Sequence, residues 1–321
     1  DALPMKKLTI ALISGGISSE REVSLNSGSQ VFEALDKSKY TVLRYDPKTD
    51  LPKLMADAAA IDAALVILHG PYGEDGTIQG MLDLLGIPYQ GAGVLGSALA
   101  MNKLAAKQLY ESAGLPVAPY LCVRQMDSFD GDACIETLGL PLVIKPVSGG
   151  SSIGMSIVKS REELGDALRM AFEYDSRSVM IEAFIPGIEI TAGVIGNDRL
   201  EVMPLIEIVP GEGYEFFDYG AKYTAGATQE ICPARIDEAL AEKARHYARV
   251  AHEALFLRGY SRTDFILKDD EFYVLETNTI PGMTRTSLLP QAAEAAGMSF
   301  AQLLDRLIAL SIEDHQHRRT A

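Results

Sequence analysis

The sequence predicts an α/β and α+β protein of three domains: an N-terminal parallel α/β domain, a central α+β domain and a C-terminal α+β domain. Over about the first 95 residues, short apolar strands alternate with helices, which is the pattern of a parallel sheet. After Asn102 the pattern changes, and strands return through glycine-rich or acidic turns, which indicates hairpins. We place the domain limits at residues 1–100, 101–188 and 189–321.

The N-terminal domain contains three predicted strands and two predicted helices. Its first strand is an apolar run that stops at Ser14-Gly15-Gly16, a tight turn. The predicted strands are Leu8–Ile13, Tyr40–Tyr45 and Ala64–Leu68, and the predicted helices are Ser24–Leu35 and Thr77–Leu85.

The central domain is predicted to begin with a helix that Asn102 caps and that Gly114 and Pro116 end near Ala113. A capping-box pattern at Ser160 and Glu163 starts a second helix that reaches about Phe172. The domain also has three apolar strands and a hairpin around Gly149–Gly154; the strands are Pro141–Lys145, Met155–Val158 and Val179–Phe184.

The C-terminal domain contains an irregular segment at 209–228, which is rich in Gly, Tyr and Phe and shows no period. So long an irregular stretch in a compact domain is usually functional or disordered. The tail from His315 is expected to be frayed and solvated. The predicted helices are Asp237–Phe256 and Phe300–Ile312, and a hairpin joins Thr263–Leu267 to Phe272–Glu276 over Asp269–Glu271.

Composition excludes several function classes. The 321 residues carry a net charge of −15, which disfavours a nucleic-acid or acidic-membrane partner. No apolar run approaches the ~20 residues that a membrane span needs, and no signal peptide is recognisable. The three cysteines form no C-x-x-C pair, so we expect reduced thiols and a cytoplasmic protein.

Two short patterns suggest other enzyme classes, and neither has the context that its chemistry needs. Gly91–Gly96 matches the dinucleotide pattern G-x-G-x-x-G, which also requires an acidic residue at the end of the next strand. The following segment is predicted helical instead. Gly150–Gly154 matches G-x-S-x-G, but a nucleophile elbow leads into a helix, and β-rich residues follow here. A dehydrogenase and a hydrolase are therefore the weaker alternatives.

The C-terminal hairpin predicts a metal site. A three-residue loop at Asp269–Glu271 places Asp264 opposite Glu276, and Asn278 shares the face of Glu276 if the strand continues. Two carboxylates and an amide are hard oxygen ligands, suited to Mg²⁺ that bridges substrate phosphates. The adjoining Arg262 suits phosphate or carboxylate oxygens. From the hairpin alone, a solvated strand end is an equally open interpretation.

Two lysines and a glycine-rich tip are candidate phosphate contacts. Lys145 ends an apolar strand, Lys103 starts a helix, and the backbone N–H groups of Gly149–Gly154 can fold over phosphates. Taken singly, each lysine is as well explained by a surface charge, and the tip by an ordinary turn.

Taken together, these motifs resemble the ATP-grasp superfamily and, within it, the D-alanine–D-alanine ligases. The resemblance runs in order from about residue 7 to 312. Lys145-Pro146 and the segment Asp218–Tyr223 support it. Three stretches carry it: Gly15–Gly28 (GGISSEREVSLNSG), His69–Gly80 (HGPYGEDGTIQG) and Glu276–Leu288 (ETNTIPGMTRTSL).

The resemblance implies ATP bound between the central and C-terminal domains. Lys103 and Lys145 are expected to contact its phosphates, under a lid that contains Ser151. Ile266 and Leu275 are expected to pack the base. Ala183 departs from the lysine usual at its position, but the family contact there is by backbone. The remaining implied ATP-binding residues are Glu182, Ala183, Ile185, Glu189, Phe216 and Lys222.

The resemblance also implies the substrate and metal residues. Asp264, Glu276 and Asn278 are expected to hold two Mg²⁺ ions, for which Mn²⁺ can substitute. Two D-alanine molecules are the implied substrates, and the family is homodimeric, cytoplasmic and feeds peptidoglycan synthesis. The implied catalytic and substrate-binding roles fall on Glu20 for the first ammonium group, Arg262 and the Gly282 N–H for the oxyanion, Ser287 and Leu288 for the second carboxylate, and His69 near the second substrate or in a structural hydrogen bond.

Glu20, Ser151 and Tyr223 form a hydrogen-bonded set in the family that closes the irregular segment over the site. Such a lid excludes water from a reactive acylphosphate. Two rival functions stay open here: another ATP-grasp carboxylate–amine ligase, such as one that accepts D-serine or D-lactate, and a non-catalytic ATP-binding module.

Tyr223 predicts the acceptor. Relatives that make D-alanyl-D-lactate tend to carry Phe at this position, so we expect an amine acceptor and a dipeptide product. Phosphate release measured over a panel of D-amino and D-hydroxy acids at neutral pH checks this. We expect D-alanine to give more product than D-lactate, and the reverse order would refute the assignment.

Overall fold

The N-terminal sheet is parallel and buried. The computed structural model describes residues 7–124, 126, 129–150, 153–175, 177–211 and 228–320. Strand β1 (Leu8–Ser14) lies between β2 (Tyr40–Tyr45) and β3 (Ala63–Ile67), and both pairings are parallel. Apolar side chains on both faces are buried, as in parallel sheets covered by helices. The helices here are α1 (Arg21–Ala34), α2 (Leu51–Asp57), α3 (Thr77–Leu85) and α4 (Val94–Met101), with a 3₁₀ turn at Ala58–Ala60.

The central sheet is antiparallel, with four strands in the order β4–β7–β5–β6. Helix α7 packs its buried leucines and alanines against this sheet. The strands are β4 (Tyr120–Val123), β5 (Leu142–Pro146), β6 (Ser156–Val158) and β7 (Val179–Ala183); the helices are α5 (Lys103–Ser112), α6 (Gly131–Leu138) and α7 (Leu164–Tyr174).

The C-terminal sheet has six strands in the order β11–β10–β8–β12–β13, with β9 paired to β8. Helix α8 (Glu238–Ala254) buries a row of alanines against β8 and β12. The strands are β8 (Ile188–Gly196), β9 (Glu201–Val202), β10 (Ile206–Pro210), β11 (Thr228–Ile231), β12 (Gly259–Lys268) and β13 (Glu271–Asn278); the helices are α8 (Glu238–Ala254), α9 (Leu288–Ala295) and α10 (Phe300–Thr320).

The fold class and the principal elements are confirmed, whereas several bounds move. Helix α7 begins at Leu164 because Glu163, whose carboxylate accepts the Lys159 N–H, takes the N-cap position. Most of the irregular segment at 209–228 lies outside the described residues, although Val209–Pro210 and Thr228 extend β10 and β11. The domain limits stay predictions. The helices missing from the prediction are α2, α4, α6 and α9.

The expectation of a frayed tail was wrong, whereas the expected exposure of the tail is confirmed at residues 316–318. Helix α10 runs to Thr320, because Arg318 binds Asp83 at 3.0 Å and Asp314 at 2.9 Å. Its guanidinium also lies 6.0 Å from the centroid of the Tyr89 ring. These contacts fix the end of the C-terminal helix to the N-terminal part of the chain.

The C-terminal hairpin pairs Asp264 with Glu276 as predicted, but its turn is shorter than predicted. Its turn has two central residues, Asp269 and Asp270, both at positive φ, so that Lys268 pairs with Glu271. One extra residue is then inserted opposite the junction of Asp264 and Phe265. This β-bulge restores the pairing of Asp264 with Glu276 that a three-residue loop predicts.

The glycines of Gly91–Gly96 pack against the C-terminal part of the chain. A Cβ at Gly91 would lie 2.9 Å from the Tyr260 ring, and one at Gly96 would lie 2.7 Å from Leu257. Helices α4 and α5 follow in place of a strand with an acidic end. The three glycines therefore serve close packing and not a dinucleotide.

Two further expectations concern membranes and thiols. Within the described ranges, no single helix is long and apolar enough to span a membrane; one sharply bent pair, Leu288–Ala295 with Phe300–Arg318, qualifies by length and composition only. All three cysteines are free thiols.

Phe265 tests the packing that supports the hairpin. It is fully buried, and its ring meets Phe272 edge-on at 5.9 Å. Phe265→Ala is expected to lower the free energy of unfolding by about 3–5 kcal/mol, since the cavity cannot close fully. Phe256→Ala is the control, because Phe256 is 62% exposed, and its effect should stay within about 0.5 kcal/mol. Urea denaturation measures both, and equal effects would contradict the packing.

Candidate functional site

Two cavities meet between the three sheets. The larger, of about 380 Å³, is lined by residues of all three regions, among them Glu20, Gly149 and Gly282. The smaller, of about 140 Å³, lies between the central and C-terminal sheets. Three residues line both: Lys103, Gly150 and Glu276. Molecules bound in the two cavities would therefore meet beside these three residues.

The smaller cavity has apolar walls and a charged end, which suits a flat base joined to a charged group. The Ala183 N–H donates to the carbonyl of Pro119 at 2.9 Å, so this N–H is not available to a ligand. The apolar walls are Val143, Ile153, Met155 and Ile157 on one side and Ile266 and Leu275 on the other, with the predicted Glu182, Ile185 and Glu189 at the rim.

A buried ion cluster supports the smaller cavity. The two carboxylate oxygens of Glu182 meet the amines of two lysines, Oε2 lying 2.5 Å from Nζ of Lys145 and Oε1 lying against Nζ of Lys107. Burial alone would raise the pKa of Glu182, but the two lysines outweigh it and lower that pKa. Glu182 is therefore ionised, and it fixes the Lys145 amine at the cavity wall.

Lys103 lies at the junction of the cavities. Asn102 caps its helix, since the Asn102 side chain accepts the Ala105 N–H at 2.9 Å. Nζ of Lys103 donates to the carbonyl of Gly149 at 2.5 Å, which connects the helix start to the glycine-rich tip. Lys103 and Lys145 both line the smaller cavity together with Gly150 of this tip, as the phosphate hypothesis requires.

Asp264 is held by four hydrogen bonds at the acidic end. Arg262 donates to both of its oxygens, at 2.9 and 2.8 Å. Thr191, which the sequence analysis missed, donates to Oδ1 at 2.6 Å, and Asn278 donates to Oδ2 at 3.2 Å. Thr191 lies opposite Asp264 on the neighbouring strand β8, a pairing that no local motif signals.

The positive charge of Arg262 offsets part of the negative charge of Asp264 and Glu276. Burial alone would lower the pKa of Arg262, but Asp264 and the nearby Glu276 outweigh it and raise that pKa. Arg262 is only 9% exposed and lines the larger cavity. It can therefore serve an anionic group there while it orients Asp264.

The donor set fits a hard divalent cation such as Mg²⁺. Asp264 and Glu276 are paired across the hairpin and Arg262 pairs with Asn278, so all four residues lie near the end of β13. In the described part of the chain, no three His, Cys, Asp or Glu side chains could hold a metal ion by themselves. Magnesium commonly binds through one or two carboxylates, waters and substrate phosphates. A cation at Asp264 requires release of one hydrogen bond, and the bond from Asn278 is the longest.

A carboxylate, Glu20, and an imidazole, His69, line the larger cavity. Glu20 is 4% exposed, and a Cβ at Gly150 would lie 3.8 Å from its Oε2. His69 is 7% exposed, and its Nε2 has no hydrogen-bond partner among the described residues. Burial lowers the pKa of His69, against the opposing charge of Glu20, so the ring is neutral at neutral pH.

Glu74 is a second residue that the sequence analysis missed, although it lies in the quoted stretch 69–80. It lines the larger cavity, and Oε2 accepts the Gly70 N–H at 2.7 Å. Burial raises the pKa of Glu74 to about 8, helped by the charges of Glu20 and Glu276. The hydrogen bond from the Gly70 N–H opposes this rise, and the net effect disfavours the charged form of Glu74.

The N-terminus of helix α9 forms the far end of the larger cavity. Ser287 is the N-cap, and its Oγ accepts the Thr284 N–H at 3.1 Å. A Cβ at Gly282 would lie 3.0 Å from that Oγ, so glycine permits the close approach. Free N–H groups at a helix start favour an anion such as a carboxylate.

The turn before helix α1 is braced by Asp46. Arg21 donates to both Asp46 oxygens, at 3.0 and 2.6 Å, and the Gly16 N–H donates to Oδ1 at 2.9 Å. Arg21 also donates to the Gly16 carbonyl at 2.7 Å. This brace positions Glu20, the residue before the helix.

The cavities bring together most of the predicted site residues. Lys103 and Glu276 line both. Glu20, His69, Arg262, Asn278, Gly282, Ser287 and Leu288 line the larger one, and Lys145, Glu182, Ala183, Ile185, Glu189 and Asp264 line the smaller. The predicted residues Ser151, Phe216, Lys222 and Tyr223 lie outside the described residues.

Comparison with known proteins finds similar sequences and a similar fold. The family model "D-ala D-ala ligase C-terminus" matches residues 109–309, and "D-ala D-ala ligase N-terminus" matches residues 46–92. A D-alanine–D-alanine ligase of Syntrophobacter fumaroxidans is 62% identical, over 96% of this chain and 99% of its own. The corresponding ligase of Desulfotalea psychrophila is 56% identical, over 98% of each chain.

A solved structure is similar as well. The crystal structure of the D-alanine–D-alanine ligase of Bacillus anthracis in complex with ATP has a TM-score of 0.85 and 36% identity, and the match covers 97% of this chain and 99% of that one.

The Asp46 brace predicts a pH dependence of stability. Burial opposes ionisation, but hydrogen bonds from Arg21 and two backbone N–H groups lower the pKa of Asp46 to about 2. Because the folded pKa lies below the unfolded value of about 4, the stabilisation is present above pH 4 and disappears as the pH falls towards 2.

We expect Asp46→Asn to reduce the free energy of unfolding by about 1–2 kcal/mol at pH 7, and the difference from wild type to shrink below pH 4. Asp132→Asn is the matched control, since its pair with Arg161 is solvent-exposed; its effect should stay within about 0.5 kcal/mol. Urea denaturation over a pH series measures both. A difference that stays constant down to pH 2 would disprove the assignment.

Proposed function

This chain belongs to the D-alanine–D-alanine ligase family, and from that membership we propose how its residues perform the ligation. The chain is an ATP-dependent ligase that joins two D-alanine molecules to D-alanyl-D-alanine, a step of peptidoglycan precursor synthesis. The observation that carries the residue assignment is the meeting of the two cavities at Lys103, Gly150 and Glu276.

ATP occupies the smaller cavity in this proposal. Ile266 and Leu275 pack the base from the C-terminal side, and the Ala183 carbonyl faces its edge. Lys103 and Lys145 contact the phosphates, and their charges offset those of the triphosphate. The terminal phosphate then lies at the junction, beside Glu276.

The first D-alanine occupies the junction side of the larger cavity. Its ammonium group is bound by Glu20, and its carboxylate points to the terminal phosphate. One carboxylate oxygen attacks the γ-phosphorus, and the bond to the bridging oxygen of ADP breaks. The product is D-alanyl phosphate. Positioning and charge stabilisation supply most of the acceleration in such transfers.

The second D-alanine lies towards helix α9. Ser287 and the Leu288 N–H hold its carboxylate at the helix start. Its neutral amine attacks the acyl carbon, and phosphate leaves with the acyl–oxygen bond electrons. Arg262 and the Gly282 N–H stabilise the negative oxygen of the tetrahedral intermediate. Neutral His69, which lines the larger cavity, is a candidate acceptor of the proton that this amine loses.

Magnesium completes the proposed site. Asp264, Glu276 and Asn278 would hold two ions, which stabilise negative charge on the transferring phosphoryl group when bound. Two further proposals rest on the family resemblance alone: the protein acts in the cytoplasm, and it works as a homodimer.

Glu276 gives the test of this proposal. Glu276→Gln removes one charge at the junction but keeps the side-chain shape, and turnover should fall at least ~10²-fold. Phosphate release with ATP, magnesium and D-alanine measures it. Glu271→Gln is the matched control: Glu271 lies on the same strand, at the far end of the hairpin, and pairs with Lys243 at 2.8 Å. Its turnover should match that of wild type.

Near-normal turnover of Glu276→Gln would remove Glu276 from the metal site. A wild-type protein that releases no phosphate with D-alanine would contradict the ligase function itself.

A further inference from the structure

Lys107 is a buried amine for which the reaction above has no use. It lies one helical turn after Lys103 on helix α5 and is 3% exposed. It lines neither cavity. Its neighbours are the strands that form the floor of the smaller cavity, so a role in that cavity has to act through another residue.

The contacts of Lys107 lead to one carboxylate. Its Nζ lies against Oε1 of Glu182. The same amine donates to the carbonyl of Ala118 at 3.2 Å and lies 5.1 Å from the centroid of the Tyr120 ring. Tyr120 is paired with Glu182 across the sheet. Two of these partners, Ala118 and Glu182, line the smaller cavity, and the third, Tyr120, lies beside Glu182 in the sheet.

Glu182 connects Lys107 to Lys145 at the cavity wall. Its second oxygen, Oε2, lies 2.5 Å from Nζ of Lys145, and both of these residues line the smaller cavity. The order is thus one buried amine, one buried carboxylate and one amine at the cavity. With both amines charged, the cluster carries a net charge of +1.

Stability alone explains this cluster poorly. Removing three ionisable groups from water costs several kcal/mol per ion, and well-packed apolar residues of similar volume often do as well or better. Burial accordingly lowers the pKa of Lys107, with Glu182 opposing the shift. A buried amine held under such a cost, directly behind a binding cavity, points to a role in binding.

We propose that Lys107 is a positioning residue for the triphosphate of ATP: it holds one oxygen of Glu182, so that the other oxygen fixes Lys145 at the cavity wall. This inference rests on the proposed function, because it takes Lys145 to contact the phosphates. Without Lys107, the cluster loses its net positive charge and Glu182 is free to turn towards Lys145. Both changes weaken the hold on an anionic phosphate.

The experiment compares steady-state kinetics of the full chain with ATP and with D-alanine. Lys107→Met keeps the chain length and removes the charge. We expect the KM for ATP to rise about tenfold, a loss comparable with that of a group that orients a metal ligand, while the KM for D-alanine changes less than about twofold. Lys39→Met is the control, because Lys39 pairs with Asp305 on the surface far from both cavities, and it should leave both KM values unchanged.

A double-mutant cycle distinguishes positioning from a general structural role. In a Glu182→Gln background, adding Lys107→Met should change the KM for ATP less than about threefold, since the carboxylate through which Lys107 acts is gone. Should Lys107→Met fail to fold, Lys107→Gln replaces it, with a donor still available to the Ala118 carbonyl and the same expected results.

Three outcomes would overturn the inference: an unchanged KM for ATP in the folded single variant, equal rises in both KM values, or a full tenfold effect in the Glu182→Gln background. Each requires a wild-type enzyme that releases phosphate with ATP and D-alanine. A wild-type protein without that activity would contradict the proposed function instead, so the two failures are distinguishable.

Discussion

Burial of charge where the two cavities meet is the constraint on which the rest of the structure depends. Asp264 and Glu182 are both under 5% exposed, and burial of an unpaired carboxylate at such depth is costly. Cations from other residues pair with each: Arg262 binds Asp264, and Lys107 and Lys145 bind Glu182 and keep it ionised. The site can therefore present lysines to phosphates and carboxylates to metal ions only because these pairs are built into the sheets.

The register of the hairpin β12–β13 places the acidic side chains of Asp264 and Glu276 on one face. A shift of one residue in its register would move Glu276 to the opposite face from Asp264. The bulge opposite Asp264 and Phe265 sets the register after a tight two-residue turn. On the other face, Thr263 and Thr277 bond to each other at 2.9 Å, and Tyr110 donates to Thr277 at 2.7 Å. The hairpin is thus held from behind while its acidic face lines the cavities.

The sequence predicted most of this arrangement where a local signal exists. Alternation along the strands placed Asp264, Glu276 and Asn278 together, and Asn102 capped its helix as expected. Partners that come from distant strands or helices left no signal. Thr191 meets Asp264 only because β8 pairs with β12, and Lys107 reads locally as an ordinary helical lysine. For the glycines of 91–96, the sequence showed only that a strand with an acidic end does not follow them. Their packing role was not predictable, since their packing partners lie more than 150 residues away.

The central claim is that Asp264, Glu276 and Asn278 bind magnesium beside the terminal phosphate of ATP. The most direct test is a crystal structure of the protein with a non-hydrolysable ATP analogue and magnesium. The account predicts metal ions within about 2.0–2.1 Å of oxygens of these side chains, each also bound to phosphate oxygens at the junction of the two cavities. A triphosphate bound with its metal ions held by water alone, or bound away from Glu276, would contradict it.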